Sequence, residues 1–394
     1  MSVYLDHAAT TVIYDHVAEA MAGQQRLVGN PSSLHAAGRA ARRVVEESRE
    51  RLAAALDARP SEVIFTSGGT EADNLAVAGI FRARRDEDPR RTRIVVSAVE
   101  HHAVLDCVEA LAAREGATLT WVPSDADGQI RATAVREAIE VDPRSVALVT
   151  VMWANNEVGT VNDVPAIADI AHAFDIPFHV DAVQAVGHVT VSMSASGADA
   201  LSLSGHKVGG PGGTGALLLR RDRAVVPLTY GGGQERQVRS GTIDTTGVLG
   251  LSLAVEYAVG RLHDEADRLA QLRDAIIGGA LALDRGIVVG GVWKPGDVVH
   301  RLPGNAHLIV PGCEGDSLLY LLDAAGIECS TGSACQAGVP QPSHVLLAMG
   351  LDEASARGAL RVTCGHTTTD GDVAAFLAAM PAAVDRARRA AGTA

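Results

Sequence analysis

Between residue 60 and about residue 220, short apolar runs alternate with stretches of helical periodicity, and this alternation restricts the fold more than any other feature of the chain. The runs EVIFT (62–66), RIVVS (93–97), ALVTVM (147–152), PFHVD (177–181) and DALSLS (199–204) are rich in Val, Ile and Leu and run into Ser, Asn, Asp or Gly. A strand buried on both faces has no polar side to show, so its sequence is a nearly continuous apolar run. Between these runs, EADNLAVAGIFRAR (71–84) and VPAIADIAHAF (164–174) repeat apolar residues at helical spacing. The alternation predicts βαβ units around a mostly parallel sheet. Ligands of such sheets bind beyond the carboxyl ends of the strands, so the residues that follow each run are the ones to inspect.

Past residue 245 the pattern changes. GVLGLSLAVEYAVGRL (247–262) and DEADRLAQLRDAIIGGAL (264–281) read as long helices, and a strand-and-helix mixture follows to residue 380. At 394 residues the chain exceeds what one core holds, about 250–300 residues, so a second, smaller domain is expected. AAVDRARRAAGTA (382–394) reads as a frayed helical tail. The net charge of −13 argues against direct contact with nucleic acid. The basic cluster RARRDEDPRRTR (82–93) is mixed with acids and Pro and reads as a solvated connection. No run approaches the about 20 apolar residues a bilayer span needs, and MSVYLDHAATT (1–11) has no basic or apolar leader region. No membrane contact and a cytoplasmic location are the expectation. Five cysteines, at 107, 313, 329, 335 and 364, include no CxxC pair. They read as cytosolic thiols and speak against disulfides and a structural zinc site.

After the first run comes SGGTEADN (67–74), a Gly-rich turn opening a helix, with Gly69 and Thr70 in its first turn. Free N–H groups and the positive helix end suit an anion; an ordinary strand-to-helix turn is the plainer reading. After the second come His101 and His102, either of which could be a satisfied core or surface residue. After the third comes Asn155, which offers an amide to a ligand or closes an Asx-type turn. Asp181 ends a run too apolar to solvate a carboxylate, with Gln184 one turn later. A buried carboxylate must be paired or neutral, although Asp is also a good helix N-cap. After the fifth run, SGHKVGGPGG (204–213) sets Lys207 among small residues that leave room beside it. One crevice would then hold an anion site, a His, an Asn, a buried Asp and a Lys. Pyridoxal phosphate asks for this set: a lysine to bond its aldehyde carbon, an Asp to keep its ring nitrogen protonated and a helix N-terminus for its phosphate. The dinucleotide pattern Gly210-x-Gly212-x-x-Gly215 competes for the same stretch. It must open a helix, whereas ALLLRRD (216–222) reads as a strand.

In the second domain, GIECSTGSACQAGVPQPSHVLLAMG (326–350) places Cys335 among Ser, Gly, Ala and Pro. Most free cysteines are buried small hydrophobes, and Cys329, in a strand-like stretch, fits that description. Cys335 has little around it to bury it, and an accessible thiol on a loop is the alternative. GALRVTCGHTT (358–368) puts Arg361 on a strand, as a structural ion pair or a carboxylate ligand.

Ten motifs in order, among them YLDHAATT, FTSGGTEADN, EHHAVLD, NNEVGT, HVDAVQAVG, SGHKVGGPGGTGAL, GGGQERQVRSGT, STGSACQAG and ALRVTCG, make nearly the whole chain resemble the cysteine desulfurases. These are a branch of the fold-type I pyridoxal-phosphate enzymes, class V aminotransferase-like. The resemblance implies an α/β fold, with a large domain (14–255) built on a mostly parallel seven-stranded sheet between helices. A smaller α+β domain (1–13 and 256–394) would carry the catalytic cysteine loop. It implies that Lys207 bonds the cofactor and moves the α-proton, that Asp181 pairs with the ring nitrogen, and that Asn155 and Gln184 lie near the ring hydroxyl. His101 would stack on the ring and act in acid–base steps. Gly69, Thr70, Ser204 and His206 would hold the phosphate, Thr242 would reach the phosphate of a partner subunit in a homodimer, and Arg361 would hold the carboxylate of L-cysteine. Cys335 would take the sulfur as a persulfide, release L-alanine and pass the sulfur to acceptor proteins for iron–sulfur cluster assembly or thiolation of tRNA and other biomolecules.

Six residues between Cys335 and PSHV resemble the long-loop subgroup, while Cys364 and His366 depart from the common pattern. The rival readings are a selenocysteine lyase or another β-eliminating lyase on the same scaffold, an ordinary aminotransferase, and a catalytically idle scaffold that binds sulfur-accepting partners.

Overall fold

The structure is a computed structural model in which residues 2–332 and 341–392 are described. Seven strands form the central sheet, in the order Val63–Thr66, Gly215–Leu219, Ala200–Ser204, Phe178–Asp181, Val146–Thr150, Arg93–Ser97, Thr118–Val122. Gly215–Leu219 runs antiparallel to both its neighbours, and the other pairings are parallel. The five apolar runs are five of these strands, and ALLLRRD supplies a sixth. The seventh, Thr118–Val122, was not expected from its sequence: it is an edge strand whose residues are mostly part-exposed, so TLTWV lacks the apolar run that marks its neighbours. Val146–Thr150 is fully buried between layers of helices. Each such Val or Leu contributes about 1.5–3 kcal/mol by leaving water.

Two clusters on the faces of this sheet make the large core. A separate core gathers Leu5, Ile276, Leu308, Leu360, Phe376 and Val384 around an antiparallel sheet in which Asn305–Ile309 lies between Ala359–Thr363 and Val288–Val289. The chain start joins this second unit, since Val3–Tyr4 pairs in parallel with Ile327–Glu328. Leu302 and the buried residues Val345, Leu346, Met349, Ala356 and Ala359 pack with the large core instead.

Two expectations are corrected. The segment 82–93 is a solvated connection only over 88–92: the helix Gly69–Glu87 takes up its first half, where Arg82 and Arg85 both pair with Glu115 of the next helix, and Arg93 opens a buried strand. The C-terminal stretch is not frayed. Helix Asp370–Ala391 buries Val384 and Ala387, and the Arg388 guanidinium donates to the carbonyls of Pro311 and Arg285.

Candidate active site

A cavity of about 420 Å³ opens where the central strands end, and its walls include Gly69, Thr70, His101, Asp181, Gln184, Ser204, His206, Lys207 and Arg361. That volume is within the range for small-ligand sites, about 300–1,000 Å³. The topology assembles it: five strands running the same way and the segments that follow them deliver side chains far apart in sequence to one edge.

Lys207 closes a short 3₁₀ turn directly after strand Ala200–Ser204. Its Nζ donates to the carbonyls of Ala8 (2.7 Å) and Ala9 (2.8 Å). Gln184 Nε2 donates to the Ala8 carbonyl as well, at 3.0 Å. Burial, followed by the charge of Arg361, lowers the lysine to about 8, against weaker support from Asp6 and Asp181. A sizeable neutral-amine fraction is therefore present near pH 8. One glycine after Lys207 also serves packing away from the lysine. Gly209 has φ +78, and a Cβ there would lie 2.4 Å from the Tyr14 ring, so this glycine makes the turn and lets helix 15–24 approach.

Asp181, 4% exposed, accepts from the Val183 N–H at 2.8 Å through Oδ1, so it caps the turn that follows and lines the cavity as well. Burial pushes its carboxyl up to about 6, with the Val183 N–H and Lys207 opposing. His101 caps helix His102–Glu115, its Nδ1 accepting from the Ala103 N–H at 3.1 Å. That bond leaves the neutral ring's proton on Nε2. Although its ring is partly open to solvent, lost hydration and then the Lys207 charge push it down to about 4, so it is neutral at pH 7. His206 is pushed to about 4 by the same two causes. Gly68, at φ +151, begins the helix Gly69–Glu87 with no side chain capping it. Gly69 and Thr70, at the start of that helix, line the cavity.

Arg361 stands on strand Ala359–Thr363 of the small sheet and reaches the cavity from the other side. Its Nη2 meets Asp6 Oδ1 at 2.8 Å and its Nη1 donates to the Asn156 carbonyl at 2.9 Å, while its buried Nε has no partner among the described residues.

Asn155 behaves differently. Its Oδ1 accepts from the N–H groups of Glu157 and Val158, and its Nδ2 donates to the Val99 carbonyl at 3.0 Å. The carboxamide closes the Asx-type turn, and the next residue, Asn156, is the one on the cavity wall. Thr242 is exposed in the loop before helix Thr245–Gly260, away from this cavity. Cys335 lies outside the described residues. The other four cysteines are buried. Burial pushes the thiols of Cys107, Cys329 and Cys364 to about 12 and raises that of Cys313. Among the described residues no group of three or more His, Cys, Asp or Glu is placed to hold a metal, and no helix is long and apolar enough to cross a membrane.

Three features were not legible beforehand. The carbonyls of Ala8 and Ala9 hold the lysine; YLDHAATT was visible as a motif, but a backbone acceptor has no signature in sequence. Asp73 and Glu100 lie buried at 1% and 0% exposure, and Asp73 lines the cavity. Two acids inside the apolar-flanked motifs FTSGGTEADN and EHHAVLD were the available signal.

The donor set fits pyridoxal phosphate. An amine of lowered basicity, a buried carboxylate with one oxygen unclaimed by the backbone, and an uncapped helix N-terminus share one cavity.

Comparison with known proteins agrees. The family model for Aminotransferase class-V matches residues 3–376. An IscS-like cysteine desulfurase of Mycobacterium tuberculosis is 57% identical over 388 residues, covering 98% of each chain. Among solved structures, a NifS-like protein aligns with a TM-score of 0.89 at 33% identity, over 98% of this chain and 100% of its own. SspA, solved in complex with cysteine, aligns with a TM-score of 0.78 at 34% identity, over 92% and 98%.

Proposed function

The chain belongs to the class-V aminotransferase family and, within it, to the cysteine desulfurases, and from that membership we propose how its own residues carry out the removal of sulfur from L-cysteine. The net change is L-cysteine plus the Cys335 thiol giving L-alanine plus a Cys335 persulfide: the Cβ–S bond breaks, an S–S bond forms, and no external oxidant or reductant is consumed. The observation that carries this reading is the convergence of Lys207, Asp181 and Arg361 on one cavity from two different sheets.

Pyridoxal phosphate bound here would supply an electron sink for the bonds at the substrate α-carbon. Lys207 would hold it covalently, and the uncapped helix end at Gly69 and Thr70, with Ser204 and His206, would take its phosphate. Asp181 would keep a proton on the ring nitrogen, which requires the carboxylate to be the charged partner at working pH. Gln184 would lie beside the ring, near Ala8. Asn155 shapes the turn that presents Asn156 and the Asn156 carbonyl that holds Arg361. His101, neutral with its proton on Nε2, would close the face of the ring and exchange protons with the substrate. Lys207, poised near pH 8, would remove and return the α-proton, an assignment in line with the need for a base whose pKa lies near working pH. Arg361 would take the substrate carboxylate in place of part of its present pairing with Asp6.

Cys335 is the sulfur acceptor in this reading. Burial suppresses the thiolate in the four described cysteines, and a thiolate is the form that attacks. Thr242 would serve the partner subunit's site in a homodimer. The persulfide sulfur would then pass to acceptor proteins for iron–sulfur cluster assembly, with tRNA thiolation as a second outlet. The test is the visible spectrum of the protein with pyridoxal phosphate, before and after L-cysteine, together with alanine release and the mass of the Cys335 peptide. A yellow wild type that yields alanine and a Cys335 adduct 32 Da heavier, about one sulfur atom, with a yellow but inactive Cys335→Ser, is the expected result. A protein that takes up no cofactor overturns the reading.

A further inference from the structure

In the cavity wall and behind it lies a group of polar side chains that the proposed chemistry does not use. Asp73, on the first turns of helix Gly69–Glu87, is 1% exposed, and its Oδ1 has no hydrogen-bond partner. His179 lies across from it, on the strand that ends in Asp181, with Nε2 3.6 Å from Asp73 Oδ1. That is too long for a hydrogen bond. The His179 ring is fully held by others: Nδ1 is 2.9 Å from Thr150 Oγ1 and Nε2 is 3.0 Å from Ser202 Oγ. Asp73 and Asp181 line the same cavity.

Asp73 and Asp181 share a cavity wall, and burial first, then the charge of Asp181, raises the cost of charging Asp73. The groups facing Asp73 are few. Strand Phe178–Asp181 contributes Asp181 and His179, and the turn after Arg93–Ser97 contributes Glu100. Helix His102–Glu115 contributes Cys107, which feels the Asp73 charge, and strand Ala200–Ser204 contributes the Ser202 hydroxyl. None of these is a cation at neutral pH, since burial holds His179 neutral. The nearby cation is Lys207, and it favours charge on Asp181.

We propose that Asp73 is a positioning residue of this site: it stands as a neutral carboxylic acid in the cavity wall, so that Asp181 alone carries the negative charge that the cofactor's ring nitrogen needs. The inference rests on the reading of the site given above. The Ser202 hydroxyl, 3.0 Å from His179 Nε2, is the neighbour that favours charge on Asp73, and burial and the Asp181 charge oppose it.

The test compares wild type, Asp73→Asn and Asp181→Asn. Asn keeps the shape of a neutral acid, so Asp73→Asn binds pyridoxal phosphate within about threefold of wild type, whereas Asp181→Asn, which loses a charge-assisted bond, binds about tenfold or more weakly. On the apoprotein at neutral pH, the infrared difference between wild type and Asp73→Asn shows loss of a protonated-carboxyl C=O stretch, and Ser202→Ala shifts that band by removing the hydroxyl beside it. A difference spectrum showing ionised carboxylate bands instead, or a band unmoved in Ser202→Ala, or an Asp73→Asn variant as impaired as Asp181→Asn, overturns the proposal. Failure of the wild type to bind pyridoxal phosphate overturns the site reading, and the infrared result still decides Asp73.

Discussion

The floor and the rim of the cavity handle buried charge in opposite ways. The floor is built from the ends of central strands that are buried on both faces, and its acids are raised: Asp181 to about 6 and Glu100 to about 8, both chiefly by burial. The rim is built from the chain start and the small sheet, and its charge is paired, with Arg361 against Asp6 at 2.8 Å. The floor controls charge by proton occupancy and the rim by ion pairing. A proton-controlled floor can hold a cofactor's ring nitrogen at fixed protonation, whereas a paired rim can exchange one carboxylate for another as substrate enters.

The largest effect expected is on the group that touches both regions. Lys207→Ala removes the covalent hold and the base together, and its activity falls by about 10⁴-fold or more while cofactor still binds without a covalent link. Stopped-flow spectra with L-cysteine check this. Activity within tenfold of wild type, roughly 1.4 kcal/mol, would move the base to another residue. Next comes Arg361→Lys at the rim, where a planar two-pronged donor becomes a point charge. The expected result is a KM for L-cysteine about tenfold to a hundredfold higher with a smaller change in kcat, because a charged hydrogen bond is worth about 1.5–3 kcal/mol. An equal loss in kcat alone would assign Arg361 to the structure of the small sheet and not to substrate.

The floor makes a prediction of opposite sign for stability. In the apoprotein the Asp181 carboxyl stands at about 6, against an ordinary value of 3.8. Below pH 3.8 both the folded and the unfolded chain hold that proton and nothing is lost. As the pH rises from 3.8 to about 6 the unfolded chain ionises first, so stability falls, and the loss is complete above about 6. Asp181→Asn therefore stabilises the apoprotein at pH 7 by about 1–3 kcal/mol, and the gain vanishes near pH 4. Denaturant titrations at the two pH values measure it. A gain of equal size at pH 4 would show that packing, not ionisation, is responsible.

The same contrast explains what the sequence made legible. The strands of the floor announced themselves, because burial on both faces leaves runs such as VALVT and ALSLS with no polar residue facing solvent. The half-exposed edge strand Thr118–Val122 carried no such mark. Lys207, Asp181 and Arg361 could be picked out because each is an ionisable group in or beside an apolar run. Asp73 could not, since its meaning depends on lying near Asp181, 108 residues away, a neighbour that only sheet order supplies. The contact of Gly209 with Tyr14 was hidden for a related reason: Tyr14 lies 195 residues away, near the start of the chain.

The smallest effect expected lies where rim and floor meet. Ser343 donates to the buried Glu157 carboxylate at 2.5 Å, and the neighbouring residue His344 has its Nε2 2.9 Å from the Glu100 carbonyl. Burial raises the Glu157 carboxyl, and Ser343 is the strongest of the influences holding it down. Removing the hydroxyl lets the folded-state value rise further. The folded chain then holds its proton over a wider range than the unfolded chain, so the added destabilisation grows as pH rises above the ordinary carboxylate range. Ser343→Ala should cost about 1 kcal/mol more at pH 8 than at pH 5, beside a pH-independent loss of its cap on the Leu346 N–H. The pH-dependent part is modest because Glu157 can take up a proton. Chemical denaturation of the apoprotein at both pH values reads it directly. A cost independent of pH would place Glu157 among the paired charges of the rim rather than the proton-controlled acids of the floor.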